Sequence, residues 1–215
     1  MKKFFASLML TLLAAPAFAQ FSSGGFTLDE DNVYYGIRIG FTSASISGDT
    51  DEGYDLDLDS KMGLELGGVI GLRVSPTFPL FLESGLYYAE RGAKKGNLKV
   101  GYNNLEIPLL IKYGVKVGDD MAVLPFFGPV FSYAFGGKTQ WTDEDGKHKV
   151  GTFDEKKAAT GGLRRANFGL KLGCGFEFNM LYAEVGYQFG VSDIAKYDDI
   201  TAHSNAFFAN IGINF

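Results

Sequence analysis

The last nine residues of the chain, 207–215, read FFANIGINF. Apolar side chains occupy every second position from Phe207 to Phe215, and Asn210, Gly212 and Asn214 lie between them. Because successive side chains of an extended strand point to opposite faces, this period of two predicts a β-strand with one apolar face. The same period recurs in seven earlier segments, at about 33–42, 62–74, 80–91, 102–115, 121–135, 165–178 and 181–191.

Charged residues fall on the strand faces opposite the apolar ones. A water-soluble lipocalin-like barrel would turn its apolar face inward, whereas a membrane barrel has lipid outside and polar side chains inside. The pattern favours an all-β fold, an eight-stranded antiparallel up-and-down transmembrane β-barrel, and the soluble carrier is the alternative. The inward charges are Arg38, Glu65, Arg73, Glu83, Arg91, Glu106, Lys112, Lys171, Glu177 and Glu184.

The first residues predict a secretion signal. Lys2 and Lys3 precede an apolar run that is too short for a membrane helix, which needs about 20 apolar residues. Small residues end the segment and predict cleavage between Ala19 and Gln20. The expected organisation is a signal peptide at 1–19 and one barrel domain at 20–215.

Short and long connections alternate between the predicted strands. Segments 75–79, 116–120 and 179–180 are short, and 43–61, 92–101, 136–164 and 192–204 are long. Short periplasmic turns and long extracellular loops are typical of outer-membrane barrels. This orientation predicts that aromatic residues mark two membrane rims: Tyr34, Phe81, Tyr113, Phe178 and Phe215 on the periplasmic side, and Tyr88, Tyr102, Phe135 and Phe207 on the outside.

Phe215 ends the last predicted strand. A terminal aromatic in this position is similar to the signal read by the bacterial barrel assembly machinery. We therefore expect that machinery, together with outer-membrane lipid and lipopolysaccharide, among the partners of the chain.

The ten inward charges are five of each sign, so they can neutralise one another, as buried charge requires. A hairpin symmetric about Thr77–Pro79 would place Arg73 opposite Glu83 and Glu65 opposite Arg91. The next hairpin brings Glu106 near Arg91 and Lys112 near Glu83, each offset by about one diagonal step. An eight-stranded barrel is just wide enough for side chains to fill, so these charges favour a closed lumen over a diffusion pore. A small gated conductance or proton-linked switching is the alternative.

Two strands contain prolines, which cannot donate to a ladder. Pro125 and Pro129 lie in the segment 121–135, whose two faces are both apolar, and Pro108 lies in the strand before it. Since a closed barrel has no free edge, we expect a bulge or a local break at these positions.

The long loops carry candidate binding residues. Lys94, Lys95 and Lys99 could meet lipopolysaccharide phosphates, although solubility also explains them. The sequence Asp145-Gly146 predicts a hairpin turn and a projecting ribbon, on which Trp141 either contacts an extracellular or envelope partner or packs on the ribbon itself. A solvated acidic loop, with a cation site as the alternative, is expected from Asp49, Asp51, Glu52, Asp55, Asp57 and Asp59.

Other chemistry is not indicated. Without Lys2 and Lys3, the 20 basic residues fall to 18 against 25 acidic ones, a net charge of −7 that argues against nucleic acid. The two histidines are His148 and His203, and Ser204 beside His203 would point to the opposite face of a strand. Cys174 is the single cysteine and is expected to be an ordinary small apolar residue. We expect no enzyme, no metal site and no cofactor.

Residues 104–113, NLEIPLLIKY, resemble a strand of the porin-family outer-membrane β-barrel domain, a PorT-like family. The segments 128–131, 168–178 and 187–194 also resemble that family. The resemblance implies residence in the outer membrane, and it implies that Pro108 and Pro129 are features of the barrel. A structural, adhesive or envelope-organising role of the outer loops is the expected function; a narrow porin or a secretion-apparatus component is the alternative.

Overall fold

The computed structural model describes residues 32–50, 58–117, 121–143, 146–154, 162–196 and 200–215. Long alternating segments form the strands, as their period of two predicts. The strands are β1 (Val33–Thr50), β2 (Leu58–Arg73), β3 (Leu80–Lys95), β4 (Leu98–Tyr113), β5 (Val115–Lys116), β6 (Met121–Asp143), β7 (Gly146–Gly151), β8 (Ala166–Phe178), β9 (Leu181–Gly190) and β10 (Ile200–Asn214). Within these ranges, no helix is long and apolar enough to cross a membrane.

Eight long antiparallel strands form a closed ring. Strands β1 to β4 pair in chain order, β4 pairs with β6, β6 with β8, β8 with β9, and β9 with β10. The ring closes where β10 pairs with β1. The two short strands β5 and β7 add to β6. The predicted eight-stranded antiparallel barrel is confirmed.

The seam between β1 and β10 extends to the last residue. Fifteen residue pairs join the two strands, from Gly36–Asn214 to Thr50–Ile200. Beyond them, the Phe215 amide donates to the Tyr35 carbonyl at 2.9 Å, and the Tyr35 amide donates to the Phe215 carbonyl at 2.8 Å. Phe215 therefore belongs to the ladder that closes the barrel. Recognition of this residue by the barrel assembly machinery stays a prediction.

The strands are longer than predicted at one end of the barrel. We call the end with the short connections 74–79, 114–120 and 179–180 the turn end, and the opposite end the loop end. Strand limits at the turn end agree with the sequence to within two residues, but 43–50, 92–95, 98–101 and 136–143 are strands rather than loops. The period of two continues there with small and polar residues, and the β3–β4 hairpin needs only Gly96, with φ +53°, and Asn97 to turn.

Two of the three prolines interrupt a ladder without shifting its register. Paired residues of β3 and β4 stop at Ser84–Leu109 and resume at Tyr87–Glu106 in the same register, with Pro108 in the gap. The Ser84 hydroxyl donates to the Pro108 carbonyl at 2.8 Å. The β4–β6 ladder has a similar gap that contains Pro129, whereas pairing of Pro125 with Cys174 is continuous. The predicted local break is confirmed at two of the three prolines, because the missing N–H removes one bond while the neighbouring bonds hold the register.

The polarity of the barrel is that of a membrane protein. Arg38, Glu65 and Lys171 are at most 3% exposed in the lumen, whereas Ile37 and Leu66 on the outer surface are 39% and 45% exposed. Apolar side chains around the outside form a belt that suits lipid. The soluble lipocalin-like alternative is therefore wrong.

Three aromatic residues predicted at the membrane rims lie inside the barrel instead. Tyr34 and Phe81 are buried at the turn end, where their rings meet edge to face at 5.9 Å between centroids. Tyr102 is buried at the loop end. All three aromatic residues occupy inward positions of their strands. The same alternation of side chains that directs the charges into the lumen therefore directs these three rings into it as well.

Candidate functional site

Nine of the ten predicted lumen charges are buried in the barrel, and eight of them form two clusters. The loop-end ion cluster contains Glu65, Arg91, Glu106 and Lys171. The turn-end ion cluster contains Arg38, Glu83, Lys112 and Glu184. Each cluster has two cations and two carboxylates, so each is neutral on its own.

The loop-end ion cluster is held by direct contacts between charges. Arg91 binds Glu106 through two hydrogen bonds, from Nε to Oε1 at 3.0 Å and from Nη2 to Oε2 at 2.9 Å. Arg91 Nη2 also lies 3.2 Å from Glu65 Oε2 and donates to Gln188 Oε1 at 3.1 Å. Lys171 Nζ lies 3.4 Å from Glu65 and 3.3 Å from Glu106. Each charge therefore has two partners of opposite sign, which offsets the cost of burial.

The turn-end ion cluster uses neutral donors as well. Lys112 Nζ lies 2.8 Å from Glu83 Oε1, but the pairs Arg38–Glu83 and Lys112–Glu184 are longer, at 3.7 and 3.8 Å. Hydroxyl groups supply the shorter bonds: Tyr34 donates to Glu83 Oε2 at 2.6 Å and Tyr182 donates to Glu184 Oε2 at 3.0 Å. The Tyr182 hydroxyl also accepts from Lys112 at 2.7 Å.

Two asparagines of β10 connect the buried charges. The Asn210 amide donates to Glu184 at 2.9 Å and to Glu65 at 3.2 Å, so it joins the two clusters. Asn214 accepts from Arg38 Nη2 at 2.6 Å and donates to Glu177 Oε1 at 3.1 Å. The strand that closes the barrel therefore also completes its polar network.

The predicted place of Arg73 is wrong. The β2–β3 register pairs Arg73 with Phe81 and Glu83 with Gly71, two residues away from the predicted alignment. The connection is centred on Thr77, and Ser75 Oγ accepts from the amides of Thr77 and Phe78 at 3.3 and 3.2 Å. This tighter turn leaves Arg73 half-buried at the barrel end, where its Nε donates to the Ser75 carbonyl at 2.9 Å.

The other predicted pairs are confirmed as contacts, with corrected offsets. Glu65 faces Ala89, so its bond to Arg91 crosses one diagonal step rather than the ladder. Lys112 reaches Glu83 across one diagonal step, as predicted. Glu106 faces Tyr87, so Arg91 reaches it across two steps, which the long arginine side chain allows.

Pairing of opposite charges in the sequence did not identify the neutral and aromatic members of the lumen network. Tyr182 lies under the Arg38 guanidinium, 3.9 Å from ring centroid to Cζ, and Lys171 Nζ lies 4.8 Å from the Phe208 ring centroid. Such cation–π contacts stabilise buried cations without adding a charge. The inward parity of Asn210, Asn214 and Tyr182 was the signal that could have identified them.

Apolar packing closes the lumen above the loop-end ion cluster. Segments 162–165 and 191–196 fold over the mouth, where Leu163 and Ala195 form an antiparallel bridge. Phe153 packs on Tyr102 from the same side at 6.4 Å between centroids. The loop-end apolar cluster consists of Ile46, Ala93, Val100, Tyr102, Ala134, Leu163, Ile194, Ala195 and Ala202.

The remaining candidates lie at the loop end or outside the described residues. The predicted ribbon is present as the β6–β7 hairpin, and Trp141 stacks on His148 with centroids 5.3 Å apart. Ser204 is buried against the Tyr102 hydroxyl at 2.6 Å, and His203 lies on the other face, as expected. The cleavage site Ala19–Gln20 and most of the acidic segment 49–59 lie outside the described residues, so those predictions stay predictions.

Similarity to solved structures is distant. The chain is similar to Ail, the attachment invasion locus protein of Yersinia pestis, solved in complex with the heparin analogue sucrose octasulfate, with 15% identity, a TM-score of 0.43, and coverage of 86% of this chain and 100% of Ail. OprG of Pseudomonas aeruginosa gives 13% identity, a TM-score of 0.48, and coverage of 88% and 99%. Neisserial surface protein A gives 12% identity, a TM-score of 0.43, and coverage of 86% and 98%. A search of curated proteins found no match.

The family comparison covers most of the chain. The family described as outer membrane protein beta-barrel domain matches residues 18–196. This match agrees with the closed ring, the apolar belt and the charged lumen. The chain therefore belongs to the outer membrane protein beta-barrel domain family and is a β-barrel of the Gram-negative outer membrane.

Proposed function

We propose that this protein is a non-conducting barrel that anchors its loop-end strands and ribbon at the cell surface for a structural, adhesive or envelope-organising role. The observation that carries the proposal is the filled lumen. Two neutral ion clusters occupy its middle, and the loop-end apolar cluster covers them. An eight-stranded barrel filled in this way has little room left for a solute.

The ends of the molecule support the same proposal. β6 is 23 residues long, more than twice the length of about 9–11 residues that a tilted membrane strand needs. Its far part pairs with β7 and carries Trp141 beyond the barrel wall. A ribbon of this kind presents side chains to a partner, while the filled lumen supplies a rigid base.

Planar-bilayer recording of the folded protein tests the proposal. We expect no ion-selective channel steps from the wild type, because the lumen is occupied. The control is a double variant, Leu163→Gly with Tyr102→Ala, which opens the loop-end apolar cluster; it should also show no channel steps, because both ion clusters still occupy the middle of the lumen. Defined steps from the wild type itself would contradict the proposal and favour the narrow porin.

A PorT-like assignment is the finer alternative within the family. It is supported by residues 104–113, whose prolyl strand resembles that group. It would favour a component of a secretion apparatus over an adhesive role. Crosslinking through Lys138 in intact cells distinguishes the two, because a secretion component would capture other envelope proteins, whereas an adhesin would capture added surface ligands.

A further inference from the structure

The outer surface of the strand extensions carries lysines that the lumen network does not use. In the row farthest from the membrane, Lys94 of β3 lies directly opposite Lys99 of β4, Lys99 is opposite Gln140 of β6, and Gln140 is opposite Lys149 of β7. Residues that pair across a ladder share a face, so Lys94, Lys99 and Lys149 point in one direction. That direction is outward, because the neighbouring Ala93 and Val100 are buried in the lumen.

A second row, two residues closer to the membrane, adds two cations. Lys138 is opposite Gly101, and an added Cβ at Gly101 would lie 3.5 Å from Lys61 Nζ. Since Val100 and Tyr102 point inward, Gly101 faces outward and the Lys61 ammonium lies on the same outer surface. We call this surface the lysine face: Lys61, Lys94, Lys99, Lys138 and Lys149.

Sheet stability explains the lysine face only in part, because Asp59 of β2 lies directly opposite Lys94 but the other lysines have no such partner in their ladders. Like charges directly opposite each other in a sheet, as Lys94 and Lys99 are, destabilise the pair. Among the described residues, none of the five ammonium groups lies within 4.0 Å of a carboxylate, the criterion that the lumen pairs meet. The carboxylate of Glu90 below them is engaged by the Tyr88 hydroxyl at 3.0 Å and the Leu64 amide at 3.3 Å.

The height of the lysine face above the apolar belt indicates which kind of partner it meets. Tyr88 pairs with Leu105, Leu105 pairs with Tyr133, and the Tyr88 and Phe135 rings lie 6.1 Å apart, so an aromatic rim runs along the top of the apolar belt. Same-face rows are about 7 Å apart along a strand, and the lysine rows begin two rows above this rim. A strand tilted by about 45° places the two lysine rows about 10 and 15 Å above the rim, so the lysine side chains must reach down to meet lipid headgroups, which occupy about 5–8 Å beyond the hydrocarbon.

We propose that the lysine face binds the phosphate groups of a glycolipid of the outer leaflet. This inference rests on the proposed function and names a partner for it: the lysines draw phosphorylated glycolipid to one side of the barrel and so organise the surrounding leaflet. Ammonium groups on flexible stems suit phosphates as mobile point charges, and the rim below them packs on acyl chains. The ligand is a membrane lipid because the cations stand directly above a lipid-facing rim.

Titration of the folded protein in neutral-lipid nanodiscs with lipid A, followed by native mass spectrometry, tests the proposal. The wild type is expected to bind diphosphorylated lipid A at least tenfold more tightly than dephosphorylated lipid A, and added salt should remove the difference. The triple variant Lys94→Gln/Lys99→Gln/Lys138→Gln should lose the preference. The matched control, Lys116→Gln/Arg164→Gln/Lys196→Gln, removes the same charge away from the lysine face and should keep it.

Three results would overturn the proposal. The first is equal binding of the two lipids by the wild type, a comparison that needs no variant to fold. The second is an equal loss in the triple variant and its control. The third is binding of a water-soluble phosphorylated sugar as tightly as lipid A, which would indicate a ligand other than lipid. Because bilayer recording does not depend on lipid A, a failure here is distinguishable from a failure of the proposed function.

Discussion

The two ion clusters of the lumen balance the same charges by different means. At the loop end, Arg91 and Lys171 each contact both carboxylates of their cluster at 2.9–3.4 Å. At the turn end, two of the three ion pairs are 3.7 Å or longer, and the hydroxyls of Tyr34 and Tyr182 supply shorter bonds. Charge balance alone therefore does not determine how strongly a cluster depends on each of its cations. The turn-end ion cluster, whose carboxylates accept from Tyr34, Tyr182 and Asn210, should tolerate the loss of one cation better than the loop-end ion cluster, whose carboxylates accept from Asn210 as their one neutral donor among the described residues.

The largest expected effect is the loss of the cation with the most carboxylate contacts. Arg91→Met should destabilise the folded barrel by about 3–5 kcal/mol, because it leaves the two buried carboxylates of Glu65 and Glu106 with Lys171 as the single cation of their cluster. Equilibrium urea unfolding in lipid vesicles, followed by heat-dependent gel mobility, measures the change. A loss below about 1 kcal/mol would show that the contacts to Arg91 do not support the barrel.

Loss of a cation from the turn-end ion cluster should lower the unfolding free energy by less. Lys112→Met removes the 2.8 Å contact to Glu83, yet Tyr34 and Arg38 still contact that carboxylate, and Tyr182 and Asn210 still bind Glu184. We expect a loss of about 2–3 kcal/mol in the same unfolding assay. If Lys112→Met proves as damaging as Arg91→Met, the distinction between the clusters is wrong.

The third-largest loss of unfolding free energy is expected when a neutral donor is removed from the turn-end ion cluster. Tyr34→Phe removes a 2.6 Å hydrogen bond to Glu83 and leaves the ring in place against Phe81. The expected loss in unfolding free energy is about 1.5–2 kcal/mol, the lower part of the range for a hydrogen bond to a charged group. Lys112→Met should also lower the unfolding free energy more when Tyr34→Phe is already present. Independent effects of the two changes would mean that the hydroxyl does not compensate for the missing cation.

Arg73 provides the smallest effect. Its side chain is half-buried at the turn end and belongs to neither cluster. Arg73→Met should therefore lower the unfolding free energy by about 1 kcal/mol or less, the usual net contribution of a hydrogen bond such as the one from its Nε to the Ser75 carbonyl. A loss as large as that of Arg91→Met would indicate that Arg73 is part of the lumen network after all.

Alternation of side chains predicted most of this architecture. It identified all eight ring strands and the direction of nine of the ten lumen charges, because a slip of one residue would have turned those charges toward lipid. It did not determine the placement of Arg73, since the register of a hairpin depends on the geometry of its turn, here fixed by Ser75. A shift of two residues keeps every side chain on its face, so the pattern could not detect it.

The candidate site was predicted less completely than the fold. Pairing of opposite charges identified Arg91 with Glu106 and Lys112 with Glu83, but it gave no weight to neutral groups such as Asn210 and Tyr182. The contacts Asn210–Glu65 and Tyr182–Lys112 depend on distances inside the lumen between strands that are not paired with each other. The sheet must close before such distances are defined, and sequence spacing does not supply them.

A double-mutant cycle between Arg91 and Glu106 is the most direct test of the claim that the buried charges act as paired units. The variants Arg91→Met, Glu106→Leu and the combination of both should each be unfolded in urea under the same lipid conditions. We expect the double variant to lose at least about 2 kcal/mol less than the two single losses together, because neither partner is then left alone. Additive losses would contradict the pairing of the buried charges, since they would mean that the two side chains stabilise the barrel independently.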